Sequence, residues 1–178
     1  SGIYGPLPIT GSKSPQFYGD GGDGIWVEPK VGDYTEVTFP KLPSARAMPK
    51  SYVLEVECDD WSKVSSVAYY IGVAANFSPG FLCNHNPTSA THLVSPGLTG
   101  SGVRRLWGQI EDWTALGGGN AATDQVQYHK VRITALAGQS PRIKLRRIDW
   151  NVQDTASISL TFDDGYASVI TAAMPLLA

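Results

Sequence analysis

Residues 125–150 read QVQYHKVRITALAGQSPRIKLRRIDW, and they carry the clearest strand signal in the chain. Apolar and polar side chains alternate in 125–135 and again in 142–150, which is typical of strands with one buried face. A short turn-like segment separates the two runs. The sequence therefore predicts a β-hairpin with one apolar face. Its predicted apolar pairs are Val131 with Leu145 and Ile133 with Ile143.

The other face of this predicted hairpin is basic. Its register sets like charges opposite each other, which is unfavourable, so the face should have an anionic neighbour. We favour Glu55 and Glu57, which project from the polar face of a predicted strand over 51–58. An acidic glycan bound against Arg132 and Lys144 is the functional alternative. The basic residues concerned are Lys130, Arg132, Arg142, Lys144 and Arg146.

The rest of the first 152 residues consists of short strands and turns. Glycine and proline interrupt the chain too often for long helices before residue 155. Strand patterns recur, as in 35–39, 51–58 and 66–74, and no internal repeat of fixed period is visible. The sequence therefore predicts an all-β accessory domain over residues 1–152, with the architecture of a β-sandwich or jelly roll.

Composition limits the classes of partner. The chain has 178 residues, with 14 Lys and Arg against 16 Asp and Glu, for a net charge of −2. This balance gives no overall positive field for nucleic acid, so nucleic acid is not an expected partner. No stretch approaches the roughly 18 to 20 apolar residues that a membrane-spanning helix needs, so no membrane span is expected either.

The two cysteines, Cys58 and Cys83, suit buried free thiols. Cys58 shares the apolar face of the predicted 51–58 strand with Leu54 and Val56, and a buried cysteine behaves as a small apolar residue. A disulfide between the two stays open, because an extracellular setting would permit one.

The pattern changes after residue 152. Two carboxylates, Asp163 and Asp164, stand between a predicted strand and a helix-like run. At the carboxyl end of a barrel strand, such a pair can divide metal binding and proton transfer between its members. The same residues also make an ordinary turn and helix N-cap. We predict that 153–178 holds a linker and the first β-α unit of a truncated (β/α) barrel.

Residues 158–168 read ISLTFDDGYAS and residues 172–177 read AAMPLL. This order resembles the opening motif of the polysaccharide deacetylase domain (NodB-like, carbohydrate esterase family 4), over about 20 residues. The resemblance implies that Asp163 is the general base and that Asp164 is a ligand of a divalent metal, zinc, in the complete enzyme. The histidine ligands of that family follow the motif. The histidines of this chain, His85, His92 and His129, all precede it.

The resemblance implies a larger hydrolase that removes N- or O-acetyl groups from a polysaccharide. Such an enzyme works outside the cell, in the cell envelope or on a virion surface. A catalytic zinc site needs about three protein ligands, and the given chain lacks the histidines and most of the barrel. We therefore expect this chain to be inactive by itself and to hold no metal, and whether it counts as an enzyme stays open.

A β-sandwich ahead of such a domain resembles carbohydrate-binding modules in architecture. Sugar rings stack their C–H faces on exposed aromatic side chains, while polar neighbours bind the hydroxyl groups. Trp61 lies in a turn-like stretch of polar residues, so it is the tryptophan expected to be most exposed. The candidate polysaccharide contacts are Trp61, Trp107, Trp113, Arg132 and Lys144.

Two alternatives accompany this prediction. The sandwich could instead be a structural or oligomerisation module of a phage tail-associated or cell-envelope protein, with no sugar site. Acidic turns at Asp20 and Asp23 and at Asp59 and Asp60 could bind calcium, which takes oxygen ligands in loops, although such turns usually bind no ion.

Overall fold

The computed structural model describes residues 24–29, 31–85 and 100–151, together with the backbone of two short strands at 9–10 and 16–19. The described chain is all-β, apart from two single-turn 3-10 helices, Trp61–Lys63 and Ile110–Asp112. In chain order the strands are β1 (Ile9–Thr10), β2 (Gln16–Gly19), β3 (Ile25–Glu28), β4 (Tyr34–Thr38), β5 (Arg46–Ala47), β6 (Ser51–Cys58), β7 (Val64–Gly72), β8 (Gly80–His85), β9 (Gly102–Gln109), β10 (Thr114–Leu116), β11 (Gln125–Val126), β12 (Tyr128–Ala135) and β13 (Ile143–Trp150).

The strands form two antiparallel sheets that face each other. Sheet I has the order β1-β4-β12-β7-β8-β10, sheet II has the order β2-β3-β13-β6-β9, and β5 pairs separately with β11. The long pairs are nested, since β3 pairs with β13, β4 with β12, β6 with β9 and β7 with β8. This nesting of early strands with late ones gives the jelly-roll form of a β-sandwich. The predicted all-β sandwich is confirmed.

The predicted hairpin is wrong, because β12 and β13 do not pair with each other. β12 lies between β4 and β7 in sheet I, and β13 lies between β3 and β6 in sheet II. The connection between them crosses from one sheet to the other and turns at Gly138, whose φ of 74° suits glycine. A hairpin would have set two basic stripes side by side, whereas the crossover places them on opposite outer surfaces.

The core fills the space between the two sheets. Alternate side chains of β6, β7, β12 and β13 point into it and are buried. Tyr52 needs a close approach to the neighbouring strand, where Gly108 lies opposite it. A Cβ at Gly108 would lie 2.1 Å from Tyr52 Cε1, so only glycine leaves room for the ring. The largest fully buried side chains are Trp61, Tyr52, Tyr69 and Phe81.

Both cysteines are buried free thiols, as the strand alternation favoured. Cys58 lies on β6 of sheet II and Cys83 lies on β8 of sheet I. Burial raises the pKa of Cys58 to about 12 and that of Cys83 to about 11. Both side chains therefore stay protonated and apolar at neutral pH.

The predicted linker and β-α unit, 153–178, lie outside the described residues. The domain boundary after residue 152 and the start of a barrel therefore stay predictions. In the parts of the chain that the structure describes, no helix has the length and apolar character needed to cross a membrane.

Candidate functional site

Trp61 is buried, so the prediction that it is exposed is wrong. Only 1% of the residue is exposed, and its Nε1 donates a hydrogen bond to the carbonyl oxygen of Gly102 at 3.0 Å. Asp60 accepts a hydrogen bond from the backbone N of Ser62 and caps the 3-10 turn. The polar neighbours thus form the turn while the indole enters the core, and Trp61 has no face to offer a sugar.

Trp107 and Trp113 lie on opposite sides of sheet II. Trp107 is opposite Val53 in the β6–β9 register, on the outer surface, and is partly exposed. Trp113 packs on the inner side against Tyr52 and Tyr69, with ring centroids 5.2 and 5.8 Å apart. The Trp113 Nε1 atom is buried, and no described residue accepts its hydrogen. The two indoles therefore do not form one platform.

Lys144 lies on the outer surface of sheet II, away from Arg132, and only 5% of it is exposed. Its neighbour Arg146 pairs with Glu55 Oε1 at 3.3 Å and with Glu57 Oε2 at 2.8 Å. The favoured pairing of the basic stripe with these two glutamates is confirmed for Arg146. Arg142, from the same basic stripe, pairs with Glu28 Oε1 at 3.8 Å.

Arg132 belongs to a cluster of aromatic and charged side chains on the outer surface of sheet I, which we name the tyrosine face. The strand register places Arg132 opposite Glu36 and Lys130 opposite Tyr70. Because successive side chains of a strand point to opposite sides, all the members project outward. The members are Tyr34 and Glu36 from β4, Tyr70 from β7, and Lys130 and Arg132 from β12.

Glu36 is the centre of this cluster. Its Oε1 accepts hydrogen bonds from Lys130 Nζ at 3.0 Å and from Arg132 Nε at 2.7 Å. The Glu36 and Lys130 side chains are each 14% exposed, against 35% for Arg132. Burial acts to raise the pKa of Glu36, but the hydrogen bonds and charges of Lys130 and Arg132 outweigh it and hold that pKa below its usual range. The carboxylate is therefore ionised at neutral pH.

Both cations also lie against aromatic rings. Arg132 Cζ is 4.5 Å from the ring centroid of Tyr34 and 5.3 Å from that of Tyr70. Lys130 Nζ is 4.8 Å from the Tyr70 centroid and 4.6 Å from that of Phe77. Such contacts are worth about 0.5–1 kcal/mol at exposed sites. Rings and charges thus hold one another in place on the tyrosine face.

The sequence prediction included Arg132 but missed Tyr34 and Glu36. Part of the signal was present, since along β4 the inward positions Thr35 and Val37 leave Tyr34 and Glu36 on the other face. The pairing of β4 with β12 could not be read in this way. It joins Glu36 to Arg132, which are 96 positions apart in the sequence.

A second polar network lies inside the sandwich, against β12. Trp150 Nε1 donates a hydrogen bond to Tyr69 Oη at 2.8 Å, and Tyr69 Oη lies 3.1 Å from His129 Nδ1. Tyr69 Oη thus accepts a hydrogen bond from the indole and shares a second one with the imidazole of His129. The His129 ring stacks on Phe39 at a centroid distance of 4.6 Å. Burial lowers the pKa of His129 to about 4.

Within the described ranges, no three His, Cys, Asp or Glu side chains come together as a metal site would require. Asp59 accepts a hydrogen bond from the backbone N of Arg142 and pairs with Lys63, while Asp60 caps the adjacent turn. These two carboxylates serve the fold. The other residues proposed for metals, Asp20, Asp23, Asp163 and Asp164, lie outside the described residues, so the zinc and calcium hypotheses stay predictions.

No protein-family model matches the chain, and no curated protein sequence matches it. Among solved structures, one that is similar is the family 11 carbohydrate-binding module from Clostridium thermocellum in complex with a β-1,3-1,4-mixed-linked tetrasaccharide. It shares 11% sequence identity at a TM-score of 0.45, and the match covers 84% of this chain and 85% of that chain. The likeness adds nothing about which residues bind a ligand.

Replacing Glu36 should destabilise the sandwich. The variant Glu36→Gln leaves two partly buried cations side by side without their carboxylate, so the free energy of unfolding should fall by about 2–3 kcal/mol. Denaturant unfolding measures this change. Glu111→Gln is the matched control, because Glu111 is exposed and should alter stability by less than about 0.5 kcal/mol. Equal effects of the two variants would contradict a structural role for the ion network.

His129 should make the free energy of unfolding depend on pH in the acid range. The unfolded chain binds a proton at this residue near pH 6.5, whereas the folded protein resists protonation down to about pH 4. Its contribution to the free energy of unfolding should therefore decline as pH falls through that window, by on the order of 3 kcal/mol, and then level off. Unfolding curves of His129→Gln over the same window should be flatter than those of the unchanged protein. Parallel pH profiles would refute this assignment.

Proposed function

We propose that the β-sandwich is a glycan-binding module and that the tyrosine face is its binding site. One observation carries the proposal. Two partly exposed tyrosine rings, Tyr34 and Tyr70, share one sheet surface with the ion network formed by Lys130, Arg132 and Glu36. Sugar recognition needs this combination, because flat rings accept the C–H faces of a sugar while oriented polar groups bind its hydroxyls.

The contacts within the network leave hydrogen-bonding capacity for a ligand. The bonds from Lys130 and Arg132 both end on Oε1 of Glu36, which leaves Oε2 to accept from a sugar hydroxyl. The guanidinium of Arg132 uses Nε and Nη2 toward Glu36, which leaves Nη1 to donate. Since these side chains are held before a ligand arrives, binding orders little that was mobile.

We also propose that the module serves a polysaccharide deacetylase. Support comes from the sequence ISLTFDDGYAS at 158–168. In that enzyme Asp163 would act as general base and Asp164 would hold a divalent metal. A module that binds the same polysaccharide would raise the concentration of acetylated substrate near the catalytic domain. Such an enzyme would work outside the cell, in its envelope or on a virion.

Substituting Tyr70 tests the glycan site. We expect Tyr70→Ala to weaken retention in affinity electrophoresis on a bound polysaccharide by about tenfold, because a stacking surface is lost. Trp107→Ala is the matched control, since it removes a partly exposed ring from the outer surface of the other sheet. Loss of binding in the Trp107 variant alone would place the site on sheet II.

Polysaccharide retention also tests the structural alternative, in which the sandwich is an oligomerisation module without a sugar site. The unchanged protein should be retained by at least one polysaccharide in a panel of neutral and acidic polymers. A stable oligomer by light scattering, with no retention on any polymer, would favour an oligomerisation module and overturn the glycan proposal.

The parent enzyme has a test of its own. We expect the gene to encode a pair of histidines beyond residue 178, because the Asp163-Asp164 motif needs them to complete a metal site. Sequencing the gene past this point checks the expectation. An early stop codon, or a following domain without such histidines, would contradict the deacetylase proposal and leave the glycan site untouched.

A further inference from the structure

We infer that the tyrosine face selects a sugar bearing a negative charge, such as a uronate carboxylate. The inference rests on the proposed glycan function and deepens it, because it names the chemistry of the ligand. It follows from the charges on the outer surface of sheet I and from how they are paired.

Charge is concentrated at one place on this surface. The strand registers give the outward residues of the four central strands, β4, β12, β7 and β8. Among these described positions, two residues are cationic and one is anionic. They are Tyr34, Glu36 and Thr38, then Tyr128, Lys130, Arg132 and Thr134, then Ser66, Ala68, Tyr70 and Gly72, then Gly80, Leu82 and Asn84.

One positive charge on the tyrosine face is therefore not matched by a carboxylate within it. Lys130 and Arg132 converge on the same oxygen of the one glutamate, Glu36. Of the described charges that flank it, Lys41 over Tyr128 is positive and Asp33 before Tyr34 is negative, so these two do not change the sum. The excess charge lies between two tyrosine rings, where a stacked sugar would bring its own substituents.

Sheet II shows a different arrangement of the same residue types. Its outer surface carries carboxylates from separate positions, and each one pairs with a cation within 4 Å. These pairs are Glu28 with Arg142 at 3.8 Å, Glu55 with Arg105 at 3.4 Å, Glu57 with Arg146 at 2.8 Å and Asp149 with Arg147 at 2.5 Å. Glu55 is also shared by two cations, since Arg146 lies 3.3 Å from its Oε1, but this surface has four carboxylates, whereas the described tyrosine face has one.

The local environment favours anionic groups near the excess positive charge. Lys130 and Glu36 are largely shielded from water, so charge interactions there are less screened than on an open surface. Arginine presents its donors in a planar fork that fits a carboxylate or a sulfate ester, and the Nη1 end of Arg132 is available for such contact. Because the whole chain carries a net charge of −2, a general attraction to polyanions would not account for such binding.

Pairs of polymers that share a backbone and differ in charge test the inference. The unchanged protein is run in affinity electrophoresis against polygalacturonate and its methyl ester, and against carboxymethylcellulose and hydroxyethylcellulose. A sulfated polymer, κ-carrageenan, distinguishes sulfate from carboxylate as the anion. We expect at least one acidic polymer to bind about tenfold more tightly than its neutral partner, with binding that weakens as salt rises.

Two variants locate the effect. Arg132→Gln should remove the preference for the acidic polymer, whereas Arg105→Gln should keep it. The control makes the same substitution on the outer surface of sheet II, where the Arg105 side chain is 67% exposed. Thermal unfolding checks that both variants are folded. The comparison of the acidic polymer with its ester uses the unchanged protein, so it does not depend on the folding of either variant.

The outcomes separate the inference from the function on which it rests. Equal or tighter binding of the neutral polymers would overturn the charge preference and leave the glycan-binding proposal standing. No retention on any polymer would overturn both. A preference that survives in Arg132→Gln and disappears in Arg105→Gln would move the acidic site to sheet II and overturn the inference for the tyrosine face.

Discussion

The nested pairing of early strands with late ones is the constraint on which the rest of this structure depends. It joins β3 to β13 and β4 to β12, so strands from early and late parts of the described chain lie side by side in both sheets. Side chains alternate along each strand, so this register decides which residues enter the core and which face outward. A slip of one position in β12 would bury Lys130 and Arg132 and expose Val131 and Ile133.

The same constraint separates two basic stripes that look alike in the sequence. In β12 the outward cations meet the single carboxylate of Glu36. In β13 the outward Arg146 meets both Glu55 and Glu57, which β6 supplies from the next strand. The difference lies in the neighbouring strand and not in the stripe itself, so the charge of a stripe alone does not reveal whether it needs a ligand.

Local patterns predicted the strands and their buried faces, because alternation depends only on nearest neighbours along the chain. Val131 and Ile133 are buried as the alternation required, and Cys58 is a buried thiol. The pairing partners of the strands were harder to predict, because they are set by contacts between distant parts of the sequence. The like charges that the predicted hairpin would have opposed were themselves evidence against it. The exposure of Trp61 was wrongly predicted from its local sequence, because its polar neighbours form a capped turn around a buried indole.

In the proposed site, stability and ligand recognition would depend on the same side chains of the tyrosine face. Glu36 compensates two cations at once, and the rings of Tyr34 and Tyr70 hold the guanidinium of Arg132 between them. The outer surface of sheet II shows that this fold can hold several carboxylates among such cations. A further carboxylate on sheet I would improve local charge balance, but it would also repel an anionic ligand. Sites that keep a local imbalance of this kind are expected where function opposes stability. The proposed anionic ligand would therefore supply the negative charge that folding leaves out of the tyrosine face.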